Sequence, residues 1–217
     1  METELKKVVV LMSGGIDSST LAAKLDDEGV EVIGLTIDYG QLSQKEIFAA
    51  EAIASELNIT QVTLQIKQLG YFLKSSLTDK DIPITEEFNK DIIVPFRNGI
   101  FLAIAAGYAV TIGAVAIAYA GHRDDAANFP DCTMPFVLRM ESAILTGTAK
   151  DIEVMLPFFM MKKKKIVQIA KKLGVPLIFT WSCYAEGEYH CGKCESCNNR
   201  KKAFKEAGID DPTEYRQ

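Results

Sequence analysis

Val8-Val9-Val10-Leu11-Met12-Ser13-Gly14-Gly15-Ile16-Asp17-Ser18-Ser19-Thr20 opens on an apolar, β-branched run, passes two glycines, and ends in the hydroxyl-rich start of an apolar helical pattern. That order of residue types predicts a strand, a tight loop and a helix N-terminus. Such a junction attracts anions, because the first helical turn has N–H groups without internal partners and carries the positive end of the helix dipole. Gly14 and Gly15 let the backbone approach a ligand closely and take φ > 0. Ser13, Ser18, Ser19 and Thr20 add hydroxyl donors, and Asp17 is an acid where a phosphate-bound Mg²⁺ would be held. A phosphate group is the expected guest; a Gly-rich turn of purely structural purpose is the alternative. No lysine follows the glycines as it does in a Walker loop, so the chemistry is not that of a P-loop kinase or GTPase.

Outward from this loop the pattern alternates strand and helix. The first helix runs on through Leu21 and Ala22 to Glu28 and closes at Gly29, and residues 30–37 form a second strand. Asp38-Tyr39-Gly40-Gln41 then lies at a strand end, where ligands gather in open α/β sheets, so these residues are expected beside the phosphate loop with the adenosine end of a nucleotide. Residues 44–57 predict an amphipathic helix with Ile47, Phe48, Ile53, Ala54 and Leu57 on its apolar side, and residues 61–66 a third strand. The periodicity fades over residues 69–91, an excursion across the active-site face.

At Val94-Pro95-Phe96-Arg97-Asn98 the chain returns to the core with an arginine able to pair bidentately with a carboxylate or phosphate, unless a structural salt bridge takes it. The uncharged stretch 99–120 is long enough to cross a bilayer, but two glycines and many alanines favour a buried helix followed by a buried strand. The turn after it holds His122, Asp124, Asp125 and Asp131 within a dozen residues; His122 by itself reads as a surface residue. A further helix is expected over 136–145, a strand over 151–156, and a helix over 166–173. The lysines 162–165 ahead of that helix read as its solvated start.

The 217 residues carry a net charge of −5, which argues against a chain built to grip a nucleic-acid backbone. With no signal-peptide pattern at the N-terminus, a cytoplasmic location is expected, and there five cysteines favour metal binding or catalysis over disulfides. Cys191, Cys194 and Cys197 are each separated by two residues and Cys183 comes from a separate turn, a set that suits tetrahedral Zn²⁺. The same spacing serves iron–sulfur clusters; Gly192 and Lys193 favour zinc knuckles, and no redox partner motif accompanies them. Such a site is closed, so its role is expected to be structural.

Ser13-Gly14-Gly15-x-Asp17-Ser18 resembles the signature of PP-loop ATP pyrophosphatases, the adenine nucleotide α-hydrolase-like proteins. Together with Asp38-Tyr39-Gly40-Gln41, Val94-Pro95-Phe96-Arg97-Asn98, Pro130-Asp131-Cys132, Thr180-Trp181-Ser182-Cys183-Tyr184 and the cysteine cluster, it resembles the 7-cyano-7-deazaguanine synthase family over nearly the whole chain. The resemblance implies an open parallel α/β sheet with helices on both faces over residues 1–176, and a zinc-binding region over 177–217 packed on it. It implies conversion of 7-carboxy-7-deazaguanine and ammonia to the nitrile preQ0 through adenylated intermediates, with ATP, Mg²⁺ and Zn²⁺, toward queuosine or archaeosine. The segment Met12 to Ala22 would bind ATP, and Cys183, Cys191, Cys194 and Cys197 would bind zinc. Arg97 is the candidate for steadying the substrate carboxylate or α-phosphate, and Asp131 or Asp125 for gripping the deazaguanine edge or Mg²⁺. No nucleic-acid or membrane partner is expected, and a homodimer is compatible with the family. Where relatives commonly carry Gly-Tyr before Pro-Asp-Cys and Arg after it, this chain has Asn128-Phe129 and Thr133. A tRNA-thiolating enzyme is the alternative, and would need a catalytic cysteine, for which Cys132 is the sole candidate outside the cluster.

Overall fold

In the computed structural model, which describes residues 6–216, the opening apolar run is strand β1 (Lys7–Leu11), and helix α1 (Ile16–Asp27) follows after a four-residue loop. Strand β2 (Glu31–Asp38), helix α2 (Lys45–Glu56) and strand β3 (Thr60–Gln65) complete the first half. Helix α3 (Gln68–Phe72) is a single short turn before the irregular excursion. Helix α4 (Arg97–Ile112), strand β4 (Ala116–Ala118), helix α5 (Met134–Thr148) and strand β5 (Glu153–Met155) form the second half. Helices α6 (Lys163–Lys172) and α7 (Glu195–Ala207) close the chain.

The five strands pair in parallel in the order β3-β2-β1-β4-β5, with Val9 of β1 opposite both Ile33 and Ile117. Parallel strands of this kind are covered on both faces, which is why residues 8–11 of β1 and all of β4 read as unbroken apolar runs. Successive side chains point to opposite faces, so Val9 joins Leu102, Ala105 and Ala109 of α4 and Val137 and Ile144 of α5. Val8 and Val10 join Leu21 and Leu25 of α1, Ala50 and Ile53 of α2, and Ile166 of α6 on the other side. The open parallel sheet with helices on both faces is therefore observed. The long uncharged stretch is α4 and β4: Gly113 takes φ 70° to end the helix, and α4 lays its small residues on the sheet.

Two local expectations are corrected. Phe48 is 66% exposed, because it stands two positions from the buried Ala50 and so about 200° round the helix, opposite the apolar stripe. The lysine run is only partly solvated, since Lys163, the first residue of α6, turns inward. Residues from 177 onward share a core with what precedes them: Leu177, Ala203 and Phe204 pack with Ile16 and Ala23 of α1 and Val167 and Ala170 of α6.

Candidate active site

The chain runs from β1 outward to β3 on one side and takes up β4 and β5 on the other, so β1 and β4 flank a topological switch point. Loops leaving adjacent strands in opposite directions open a crevice there, at the carboxyl ends. A cavity of about 590 Å³ lies in it, lined by the phosphate loop, the ends of β2 and β4, the starts of α4 and α6, and Trp181. That volume suits a nucleotide with a second small molecule.

The loop residues divide by what they face. Met12, Ser13, Gly15, Ile16, Asp17 and Ser18 line the cavity. The Ser13 N–H donates to Ser18 Oγ at 3.1 Å, folding the loop onto the helix start. Among the described residues no side chain caps α1, so its first N–H groups stay open to an anion. Gly14 takes φ 74°, and a Cβ there would stand 2.7 Å from Ala50 N. Ser19 and Thr20 donate their hydroxyls to the Gly15 and Ile16 carbonyls at 2.7 and 2.6 Å, not toward the cavity. Leu21 and Ala22 lie wholly in the core. From the next strand end, Tyr39 and Gln41 line the cavity, whereas Asp38 is buried against Lys67 at 3.2 Å and accepts the Gly40 N–H.

Asp17 sits 2.8 Å from Lys163 Nζ and 4.0 Å from His122 Nε2. Burial acts to raise the Asp17 carboxyl, but Lys163, His122 and hydrogen bonds outweigh it and hold the group below its ordinary range. Burial acts to lower Lys163, and Asp17 and Asp125 outweigh it upward, so both partners stay charged. His122 is 4% exposed, contrary to its reading as a surface residue, because the turn after β4 folds it under the cavity floor, where Nε2 lies 3.4 Å from Asp125 Oδ2. Asp17 Oδ1 and His122 Nδ1 are buried without hydrogen-bond partners among the described residues. Asp125 also accepts the His122 N–H at 3.1 Å, and burial raises its carboxyl against the pull of His122 and Lys163.

Across the cavity, Phe96 holds φ 56°, a strained value for a bulky residue, and thereby turns Arg97 and Asn98 inward as the first residues of α4. Arg97 donates to Tyr39 OH at 3.2 Å and forms no salt bridge among the described residues. Glu46, on the first turn of α2, also lines the cavity, and burial pushes its carboxyl up to about 7 against the pull of Arg97. Asp131 accepts the Asn98 N–H at 3.3 Å, while Tyr119 OH donates to its backbone carbonyl at 2.8 Å. Cys132 is buried beside it, and burial with the neighbouring aspartates pushes its thiol far up.

The four sulfurs of Cys183, Cys191, Cys194 and Cys197 lie within 4.8 Å of one another. The Cys191 and Cys197 sulfurs are 3.9 Å apart, close to the about 3.8 Å that tetrahedral Zn–S bonds of about 2.3 Å would set. N–H groups of Cys191 and Cys194 point at cluster sulfurs at 3.3 Å. All five cysteines are free, and the donor set can hold a metal. His190 is not part of it: Nε2 accepts the Ser182 N–H at 3.0 Å, and burial with Arg200 pushes the ring down to about 4. The centre is tied to the site, since the Trp181 N–H donates to the Gly14 carbonyl at 2.9 Å and its indole to Ser43 and the Cys183 carbonyl.

Sequence reasoning missed Lys163, His122 and Glu46. Lys163 was hidden in a lysine run, and no periodicity distinguishes it from its neighbours. Glu46 had a weak signal, an acid in the first turn of the helix that follows a strand end.

The chain matches the family model described as queuosine biosynthesis protein QueC over residues 7–208. It is 42% identical over 214 residues to a 7-cyano-7-deazaguanine synthase of Methanoregula boonei, covering 96% of this chain and 99% of that one. It is 41% identical to one of Nitratiruptor sp., covering 97% and 99%. Among solved structures it is similar to NMN synthetase from Francisella tularensis, with TM-score 0.58 and 17% identity over 96% of this chain and 79% of that one. An NH3-dependent NAD synthetase from Campylobacter jejuni gives TM-score 0.50 and 17% identity over 81% and 67%. At such identities these two report the fold.

Proposed function

This chain belongs to the QueC family, and we propose on that footing that it converts 7-carboxy-7-deazaguanine and ammonia into 7-cyano-7-deazaguanine, using ATP and releasing AMP and pyrophosphate. The observation that carries the reading is the meeting, in one cavity, of a helix-start anion hole with an arginine that forms no salt bridge among the described residues. A carboxylate resists attack by ammonia because it has no good leaving group. Transfer of the adenylyl group to a carboxylate oxygen gives an acyl adenylate; ammonia displaces AMP and leaves the amide. A second adenylation, on the amide oxygen, followed by loss of AMP and two protons, gives the nitrile.

Both adenylations place charge on the departing pyrophosphate. The open N–H groups of α1, the Ser13 and Ser18 hydroxyls and Lys163 receive it, and the last supplies from a distant helix the cation that a Walker loop carries within itself. Tyr39 and Gln41 border the adenosine end, and Arg97 holds the substrate carboxylate or the α-phosphate in line. Asp17 Oδ1, buried and without a partner, fits a Mg²⁺ ligand. Mg²⁺ there would neutralise phosphate charge. Asp125 and Asp131 border the deazaguanine side, with Asp125 also able to serve that ion. The four cysteines fit a structural Zn²⁺ that fixes the Trp181 segment against Gly14. Thiolation of tRNA is disfavoured because Cys132, the cysteine outside the cluster, has its thiol pushed away from the reactive thiolate.

Arg97→Ala tests the seat directly: it retains ATP binding and loses nitrile formation, and unchanged turnover would sink the assignment.

A further inference from the structure

We propose that Glu46 selects the deazaguanine by its 2-aminopyrimidinone edge, its two carboxylate oxygens accepting from the ring N1–H and the 2-amino group. This rests on the function proposed above. The charged groups lining the cavity are nearly all engaged. Asp17 pairs with Lys163 at 2.8 Å, Asp125 and Asp131 accept the His122 and Asn98 backbone N–H groups, and Arg97 donates to Tyr39. Glu46 alone of these forms neither a hydrogen bond nor an ion pair among the described residues. It is half-buried, in a lining that also includes Phe96, Phe101, Phe129 and Phe136. A carboxylate in such a wall is costly unless N–H donors reach it.

The candidate donors differ in shape. An adenine edge offers one amino group beside a bare ring nitrogen, so the second carboxylate oxygen would face a lone pair. Ammonium would meet the neighbouring positive charge of Arg97, the one charged group that acts on Glu46. The 2-aminopyrimidinone edge presents two adjacent N–H donors, which match one carboxylate. Beyond them along the same side of the heterocycle come the ring carbonyl and then the 7-carboxylate, both acceptors. Glu46 and Arg97 therefore form an acceptor–donor pair complementary to that edge, and the reacting carboxylate falls to Arg97. Burial raises the empty carboxyl to about 7, and two N–H donors would favour its ionised form.

Isothermal titration of the full chain tests this with 7-carboxy-7-deazaguanine, its analogue lacking the 2-amino group, and ATP. Wild type is expected to prefer the 2-amino compound by roughly ten- to a hundredfold, the worth of a charge-assisted hydrogen bond. Glu46→Gln is expected to lose that preference, because an amide turns a donor toward the edge, while its ATP affinity stays at the wild-type value and reports an intact cavity. Retained preference in Glu46→Gln overturns the assignment. So does equal affinity of wild type for the two compounds, a comparison that needs no variant to fold. If the wild type turns over the deazaguanine acid but shows no preference, only the role of Glu46 falls. If it binds neither compound, the proposed function falls with it.

Discussion

Lys163 shows how a single side chain changes role when the chain folds. In sequence it is one of four lysines and reads as solvated; in the structure it reaches across 146 positions to pair with Asp17 of the loop at 2.8 Å. Nothing local marks it, since the selection is made by the turn of α6 that faces the cavity. Lys163→Met removes the charge and keeps the stem, and should lower kcat/KM for ATP roughly ten- to a hundredfold, as lost charged hydrogen bonds do. The same change at Lys164, on the exposed side, should leave kcat/KM within about twofold, as surface changes do; equal effects at both positions would show that the run acts only through bulk charge. His122 was misread for a related reason: a lone histidine in a polar turn carries no record of the floor that buries it.

At the scale of elements, the loop between β1 and α1 was readable because its geometry is local: strand, glycines and helix start are written consecutively. Gly14 combines φ 74° with the backbone of α2 pressed against the place of its missing Cβ. Gly14→Ala should therefore cost well over about 1 kcal/mol of stability and weaken ATP binding, since either the loop or α2 must shift. Thermal unfolding and ATP titration of this variant check it; a neutral substitution would mean the loop is not held as described. The cysteine cluster was equally local, and its spacing alone assembled the four sulfurs. Its connection to the phosphate loop through the Trp181 N–H was not readable, because that bond joins residues far apart in the chain. Chelation or Cys194→Ser should lower the melting temperature and also weaken ATP binding. A loss of stability with full ATP affinity would uncouple the two elements.

The whole molecule is closed by Arg200, which is fully buried and spends its guanidinium on Asp211, Thr180 and Ser182. Burial acts to raise the Asp211 carboxyl, but Arg200 and Tyr215 outweigh it and hold it low. A carboxyl depressed in the fold contributes stability above its unfolded value, near 4, and loses it as pH falls through the folded value. Acid unfolding should accordingly begin below about pH 4, and Arg200→Met should flatten that limb while costing about 3 kcal/mol or more near neutrality. An unchanged acid limb would remove the pair from the account. Fold class was legible because parallel strands and a Gly-rich strand-to-helix loop are consecutive patterns, whereas the pairings that complete the site depend on packing across the sheet. The central claim, one pyrophosphate cradle used twice on one heterocycle, is met most directly by counting nucleotide products against nitrile formed from 7-carboxy-7-deazaguanine and ammonia. The account predicts two AMP per nitrile, with the amide appearing in between; ADP as the product, or a single AMP per nitrile, would contradict it.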